Sequence, residues 1–184
     1  PLEITKGETA TSIASELTEA FKKIWGDAWG ARMEDMLKNT LIALIQNNLT
    51  LAELPLFLTD PEVRNKILEK VEHGVSRQYF QRFNSLPRRT QDEWMESTLN
   101  KVNAFLFDNK IRQMLSSPKS SFNLRDVIDD GKILLVKLDK GRLKGNADLL
   151  GSLLLAKIQS AAFSRTDTPE LQRKKFYLYI DEFQ

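Results

Sequence analysis

Asp181 and Glu182 stand side by side directly after the apolar run 176–180, Phe-Tyr-Leu-Tyr-Ile. Adjacent carboxylates suit phosphoryl transfer because they can divide two tasks. One acid holds the hydration shell of a Mg²⁺ bound to the β and γ phosphates, while the other polarises the attacking water. In that division Asp181 serves the metal and Glu182 serves the water. An acidic pair after a strand also arises simply where a chain meets solvent or caps the next helix. The pair therefore acquires meaning only from the elements that position it.

Those elements follow from the periodicity. From Thr9 onward Ile13, Leu17, Phe21 and Ile24 recur at helical spacing, after a short extended stretch at the start. Trp25-Gly26-Asp27-Ala28-Trp29-Gly30 breaks the pattern and reads as a packed corner between helices. Met33, Met36, Leu37, Thr40, Leu41, Leu44 and Ile45 then mark one buried helical face. Thr50 with Glu53 has capping-box spacing, and Asp60-Pro61 places an N-cap before a proline at the first helical position. Val63, Ile67 and Val71 continue the buried stripe, and His73 beside Gly74 reads as a cation capping the end of a helix. Tyr79, Phe80 and Phe83 read as helical core, as do Trp94, Thr98, Leu99, Val102, Phe105 and Leu106. Residues 31–115 are expected to be almost entirely helical.

The period changes after Pro118. Asp130-Gly131 is a turn signal, 133–138 is an apolar run broken only by Lys137, and 141–145 is a polar loop. Leu149, Leu150, Leu153, Leu154, Ile158 and Ala161 make an apolar helical face, 166–175 is a charged connection, and 176–180 is rich in residues that favour strands. Strand, helix and strand in this order predict a βαβ unit with parallel strands and a right-handed crossover. In such sheets the ligand crevice lies beyond the carboxyl ends of the strands, where Asp181 and Glu182 would emerge. The expected fold class is thus α/β, a partial parallel sheet in a chain that is predominantly helical.

Composition narrows the chemistry. Cysteine is absent and His73 is the single histidine, so thiolate sites and disulfides are excluded and metal chemistry falls to carboxylates. The formal charge of +2 does not advertise nucleic-acid binding. Apolar runs such as 41–45 and 153–156 fall far short of the roughly 20 residues that cross a bilayer, which points to a soluble, cytoplasmic piece. Gly131-Lys132 is no phosphate loop: Asp126 stands where G-x-x-x-x-G-K needs its first glycine, and Ile133 stands where Ser or Thr is required. The chain therefore has no Walker A motif. It starts at Pro1 and stops just after an apolar run, so both ends look cut.

With these residues in hand, the chain resembles the HerA/FtsK-like P-loop ATPases, specifically those of type IV secretion and conjugative DNA transfer. The resemblance runs in ordered blocks: Trp25-Gly26-Asp27-Ala28-Trp29-Gly30-Ala31-Arg32, then Leu99-Asn100-Lys101 with Phe105-Leu106. Next come Gly131-Lys132-Ile133-Leu134-Leu135-Val136, running to Lys140-Gly141-Arg142-Leu143, and finally Phe176-Tyr177-Leu178-Tyr179-Ile180-Asp181-Glu182-Phe183-Gln184, a Walker B motif. The resemblance implies a RecA-like sheet with an all-helical insertion between the Walker A and Walker B strands. Residues 1–30 would begin the ATPase core, 31–118 would be the helical subdomain, and 119–184 would be the βαβ ending in Walker B. It also implies a hexameric ring that couples ATP and Mg²⁺ to moving DNA or protein, with partners in the secretion or conjugation machinery. Any attachment to the inner face of the cell membrane would lie in other segments or partners.

By the same resemblance Asp181 is the Mg²⁺-side carboxylate and Glu182 the catalytic one, with the phosphate loop upstream of Pro1. The piece alone is expected to be inactive. Lys140, Arg142 and Lys144 cluster where the 133–138 run ends, and a cation there can approach a nucleotide's phosphates or face DNA. A solvated basic loop is the competing reading. Two other functions remain open: a DExx-box helicase, whose metal-binding strand Asp-Glu-Phe-Gln also resembles, and a helical interaction module in which the acids are incidental.

Overall fold

The run Leu-Ile-Ala-Leu-Ile at 41–45 is apolar in every direction, and a helix of that kind can be stable in water only if other helices surround it. The computed structural model, which describes all residues except 1, 5–7, 144 and 182–184 and the side chain of Asp27, places this run at the centre. It lies in α2 (Ala31–Gln46), where all five residues are buried. Packed around α2 are α1 (Ala10–Trp25), α3 (Leu54–Thr59), α4 (Pro61–Glu69), α5 (Gly74–Asn84) and α6 (Arg88–Leu106). Behind them α7 (Asn109–Leu115) packs on α6, and α10 (Asn146–Phe163) packs on α1.

Aromatic rings fix how these helices meet. Phe57 of α3 meets Phe80 of α5 edge-on at 4.9 Å, and Phe21 of α1 meets Phe105 of α6 edge-on at 6.2 Å. Phe80 and Phe83 are fully buried, as expected for core residues. The Trp25 ring stacks on Phe21 at 5.1 Å, and Trp25 and Trp29 are both half-buried against the core, as a packed corner requires. Among the polar core residues, Arg64 is 1% exposed. Its Nε donates to Asn84 Oδ1 at 2.9 Å and its Nη1 to the Leu58 carbonyl at 2.7 Å, which joins α3, α4 and α5.

Helix starts follow local chemistry. Thr50 and Glu53 form the reciprocal capping box, and the Asp60 carboxylate accepts from the Glu62 and Val63 amides ahead of α4. His73 does the opposite of what its position beside Gly74 suggests. Its Nδ1 accepts from the Ser76 amide at 3.2 Å and so opens α5, because Gly74 begins that helix instead of ending the previous one. The loop expected at 141–145 is partly ordered as the short helix α9 (Lys140–Leu143), nucleated by Asp139.

The α/β expectation fails. The described residues are 71% helical and contain no strand, so the architecture is all-α. The residues predicted as βαβ strands fall in 132–139 and 174–180, stretches without regular secondary structure, and among the described residues no backbone hydrogen bond joins either to a neighbour as a ladder. Local sequence expresses only a preference for extended backbone, whereas a sheet needs a partner for each N–H and C=O. Between the two stretches lie α9 and α10; ahead of them is α8 (Leu124–Asp130). Among the described residues, no helix is long and apolar enough to cross a membrane.

Candidate functional site

Asp181 is an exposed turn residue directly after the irregular stretch 174–180; Glu182 and Lys144 lie outside the described residues. The stretch itself is held at its start. Lys174 is held from two sides: its carbonyl accepts from Arg165 Nη2 at 2.9 Å, and its ammonium donates to the Asp130 carbonyl at 3.0 Å. Asp130 ends α8, and Gly131 caps that helix in the left-handed region at φ 71°. The 132–139 stretch leaves from the same corner, so both stretches start side by side and are rooted together.

The root is an ionic network over α8 and the 3-10 turn Ser164–Asp167. Arg125 pairs with Asp129 through Nε, with Asp167 through Nη2 at 2.6 Å, and donates through Nη1 to the Ser164 carbonyl at 2.7 Å. Hydrogen bonding from Asp167 first, and from Asp129 second, raises the Arg125 pKa above its ordinary value. The second oxygen of Asp129 lies 2.9 Å from Arg165 Nε, so one carboxylate bridges two guanidinium groups. The Arg165 Nε–H is not aligned on that oxygen, which makes the contact an ion pair without a hydrogen bond. At the exposed edge Asp130 and Lys132 pair at 2.7 Å, which lowers the carboxyl pKa and raises that of the ammonium.

At the other end of 132–139, Leu138 Cδ1 lies 3.2 Å from where a β-carbon on Gly151 would stand, so the stretch closes against α10. Asp139 then accepts from the Arg142 amide at 3.1 Å and pairs with the Arg142 guanidinium at 3.6 Å. That side chain is 78% exposed, so Arg142 and Lys140 sit on a solvated turn. Among the described residues Arg142 is paired with Asp139 and not with Asp181.

The residues present do not by themselves complete a Mg²⁺ site. No group of three or more His, Asp or Glu side chains that could hold a metal gathers among the described residues, and Asp181 offers one carboxylate. The two stretches instead present apolar side chains to solvent: Ile133 and Leu135 are 88% and 90% exposed, Tyr177 and Tyr179 67% and 89%. Arg125, Asp129, Arg165 and Asp167, which hold the corner where the stretch 174–180 begins, are not marked by the sequence pattern as a set. The Arg125–Asp129 spacing of i, i+4 on an α8 helix was the signal for one pair, but nothing local marks Arg165 as its partner. Comparison with known proteins finds no matching family model, no matching curated protein and no matching solved structure.

Proposed function

We propose that this chain is a segment of an ATP-hydrolysing ring motor that moves DNA or protein, of the conjugative and type IV secretion kind. Asp181 is its Mg²⁺-side acid and Glu182 its water-polarising acid. One observation carries the reading: the apolar stretch that leads in sequence to the Asp181-Glu182 pair is anchored at its start, where the buried Arg165 guanidinium holds the Lys174 carbonyl. A single carboxylate there is useful where charge must meet a metal-bound triphosphate supplied by other segments. ATP and Mg²⁺ are the cofactors, and a homohexamer with DNA among its partners is the assembly this reading entails.

The test is phosphate release by the full-length protein. Glu182→Gln is expected to lower the rate by about 10²–10⁴-fold while nucleotide binding persists, the usual contribution of a positioned base. A full-length protein that binds no nucleotide refutes the proposal. Such a result would favour the second reading, a helical interaction module, which the continuous helical core running from α1 to α10 supports.

A further inference from the structure

Among the described residues no backbone ladder holds 175–180, and the hydrogen bonds that anchor the stretch are those on Lys174, at its start. A carbonyl is the right place to set a direction: fixing the Lys174 C=O fixes the plane of the following peptide, and with it the exit angle of the chain. Arg165 Nη2 holds that carbonyl at 2.9 Å. The same guanidinium is itself pinned, one-tenth exposed, by its ion pair with Asp129, whose other oxygen is taken by Arg125. Seven residues at no more than about 3.6 Å each keep Asp181 within roughly 25 Å of this root, so the anchor at Lys174 bounds where the acid can stand.

We infer that Arg165 is a positioning residue: acting through the Lys174 carbonyl and braced by Asp129, it aims the segment that carries Asp181, without touching nucleotide itself. The catalytic consequence rests on the function proposed above; the aiming does not. Lysine cannot substitute, because a single ammonium on a flexible stem does not hold a carboxylate and a carbonyl in two fixed directions.

The chain has no cysteine, so a pair introduced at Ile133 and Tyr179, 88% and 89% exposed, takes nitroxide labels at those sites alone. Measured by pulsed electron–electron resonance on the chain diluted with unlabelled copies, the parent is expected to give a narrow distance distribution. Arg165→Met and Arg165→Lys should both broaden it while the helical circular dichroism stays unchanged. Asp129→Asn, nearly isosteric, should broaden it in the same sense and serves if Arg165→Met does not fold. A distribution already broad in the parent, or unchanged in these variants, overturns the inference. In the full-length protein Arg165→Lys is expected to cut kcat by about 10²-fold with the KM for ATP within about twofold, the signature of misplaced chemistry. Undiminished kcat in a parent that hydrolyses ATP also overturns it. A parent that hydrolyses no ATP removes the catalytic consequence alone and leaves the distance measurement to decide the aiming.

Discussion

Lys174 Cδ lies 3.4 Å from the point where Gly131 would carry a β-carbon, which brings the roots of two stretches 40-odd positions apart in the sequence into contact. The contact is an ordinary van der Waals distance, so space alone would admit a methyl group. The backbone is the obstacle, because φ 71° is a left-handed conformation that residues with a β-carbon adopt at a cost. Gly131→Ala should therefore destabilise the fold by about 1 kcal/mol, and Gly131→Asn by less, since asparagine tolerates that region. Urea midpoints of the two variants check the order; equal midpoints for alanine and glycine would refute it.

Glu34 ties the Trp25–Trp29 corner to α2. It accepts from the Trp29 indole N–H at 2.8 Å and pairs with Lys22 at 3.1 Å. The indole hydrogen bond first, and the Lys22 hydrogen bond second, hold the Glu34 carboxyl below the ordinary carboxylate range. Because the folded pKa is depressed, the stabilisation is complete above the pKa of the unfolded chain and is lost as pH falls through the folded value. Acid titration followed by Trp29 fluorescence should show a corner transition below the ordinary glutamate range. Glu34→Gln should abolish that transition, and a persisting one would assign it elsewhere.

How much of this was legible depended on whether the determining contact was local. The capping box at Thr50 and Glu53, the Asp60 cap and the aromatic core at Phe80 and Phe83 are set within a turn or two, and each was visible in the spacing. His73 was misread because a histidine followed by glycine can end one helix or begin the next, and only the Ser76 amide decides. The runs at 133–138 and 176–180 carried the composition of buried strands. Composition expresses only a local preference for extended backbone, whereas pairing is non-local and no neighbour among the described residues supplies it. Arg165 lies just ahead of what reads as a charged connection at 166–175, and its contact with Asp129 joins α8 to the end of α10, a long-range pairing that charge counting does not reveal.

Arg64 offers a cleaner test of polar burial in the helical core. Its guanidinium reaches Asn84 and the Leu58 carbonyl and lies 5.2 Å from the Phe83 ring, and burial pulls its pKa below the ordinary value. Arg64→Met would remove the donor, leaving the buried Leu58 carbonyl without it in a dry environment and freeing the partly buried Asn84 Oδ1. The expected loss is about 3 kcal/mol, the scale for orphaning partners of a charged donor. Arg64→Lys should recover little of it, because one ammonium cannot span both acceptors and the ring. Denaturant unfolding decides: a methionine variant as stable as the parent would show that the guanidinium only fills space.

The tip of the molecule makes the last prediction. Residues 176–180 are apolar or aromatic, uncharged and free of proline and glycine, the composition of segments that pair with copies of themselves. Their side chains alternate, so Tyr177 and Tyr179 share one face, which is the more open of the two: Leu178 and Ile180 are 46% and 48% exposed against 67% and 89% for the tyrosines. The 133–138 run is equally bare but carries Lys137, and stacking that lysine on its copy costs energy. Self-association of the purified chain should therefore be driven by 176–180. Tyr179→Lys, placed on the open face, should raise the concentration at which oligomers appear in sedimentation velocity, with helix stability changed by no more than about 0.5 kcal/mol, as for other exposed sites. Ile133→Lys should have the smaller effect. If Ile133→Lys suppresses oligomers and Tyr179→Lys does not, the first stretch is the adhesive one and Lys137 is no barrier.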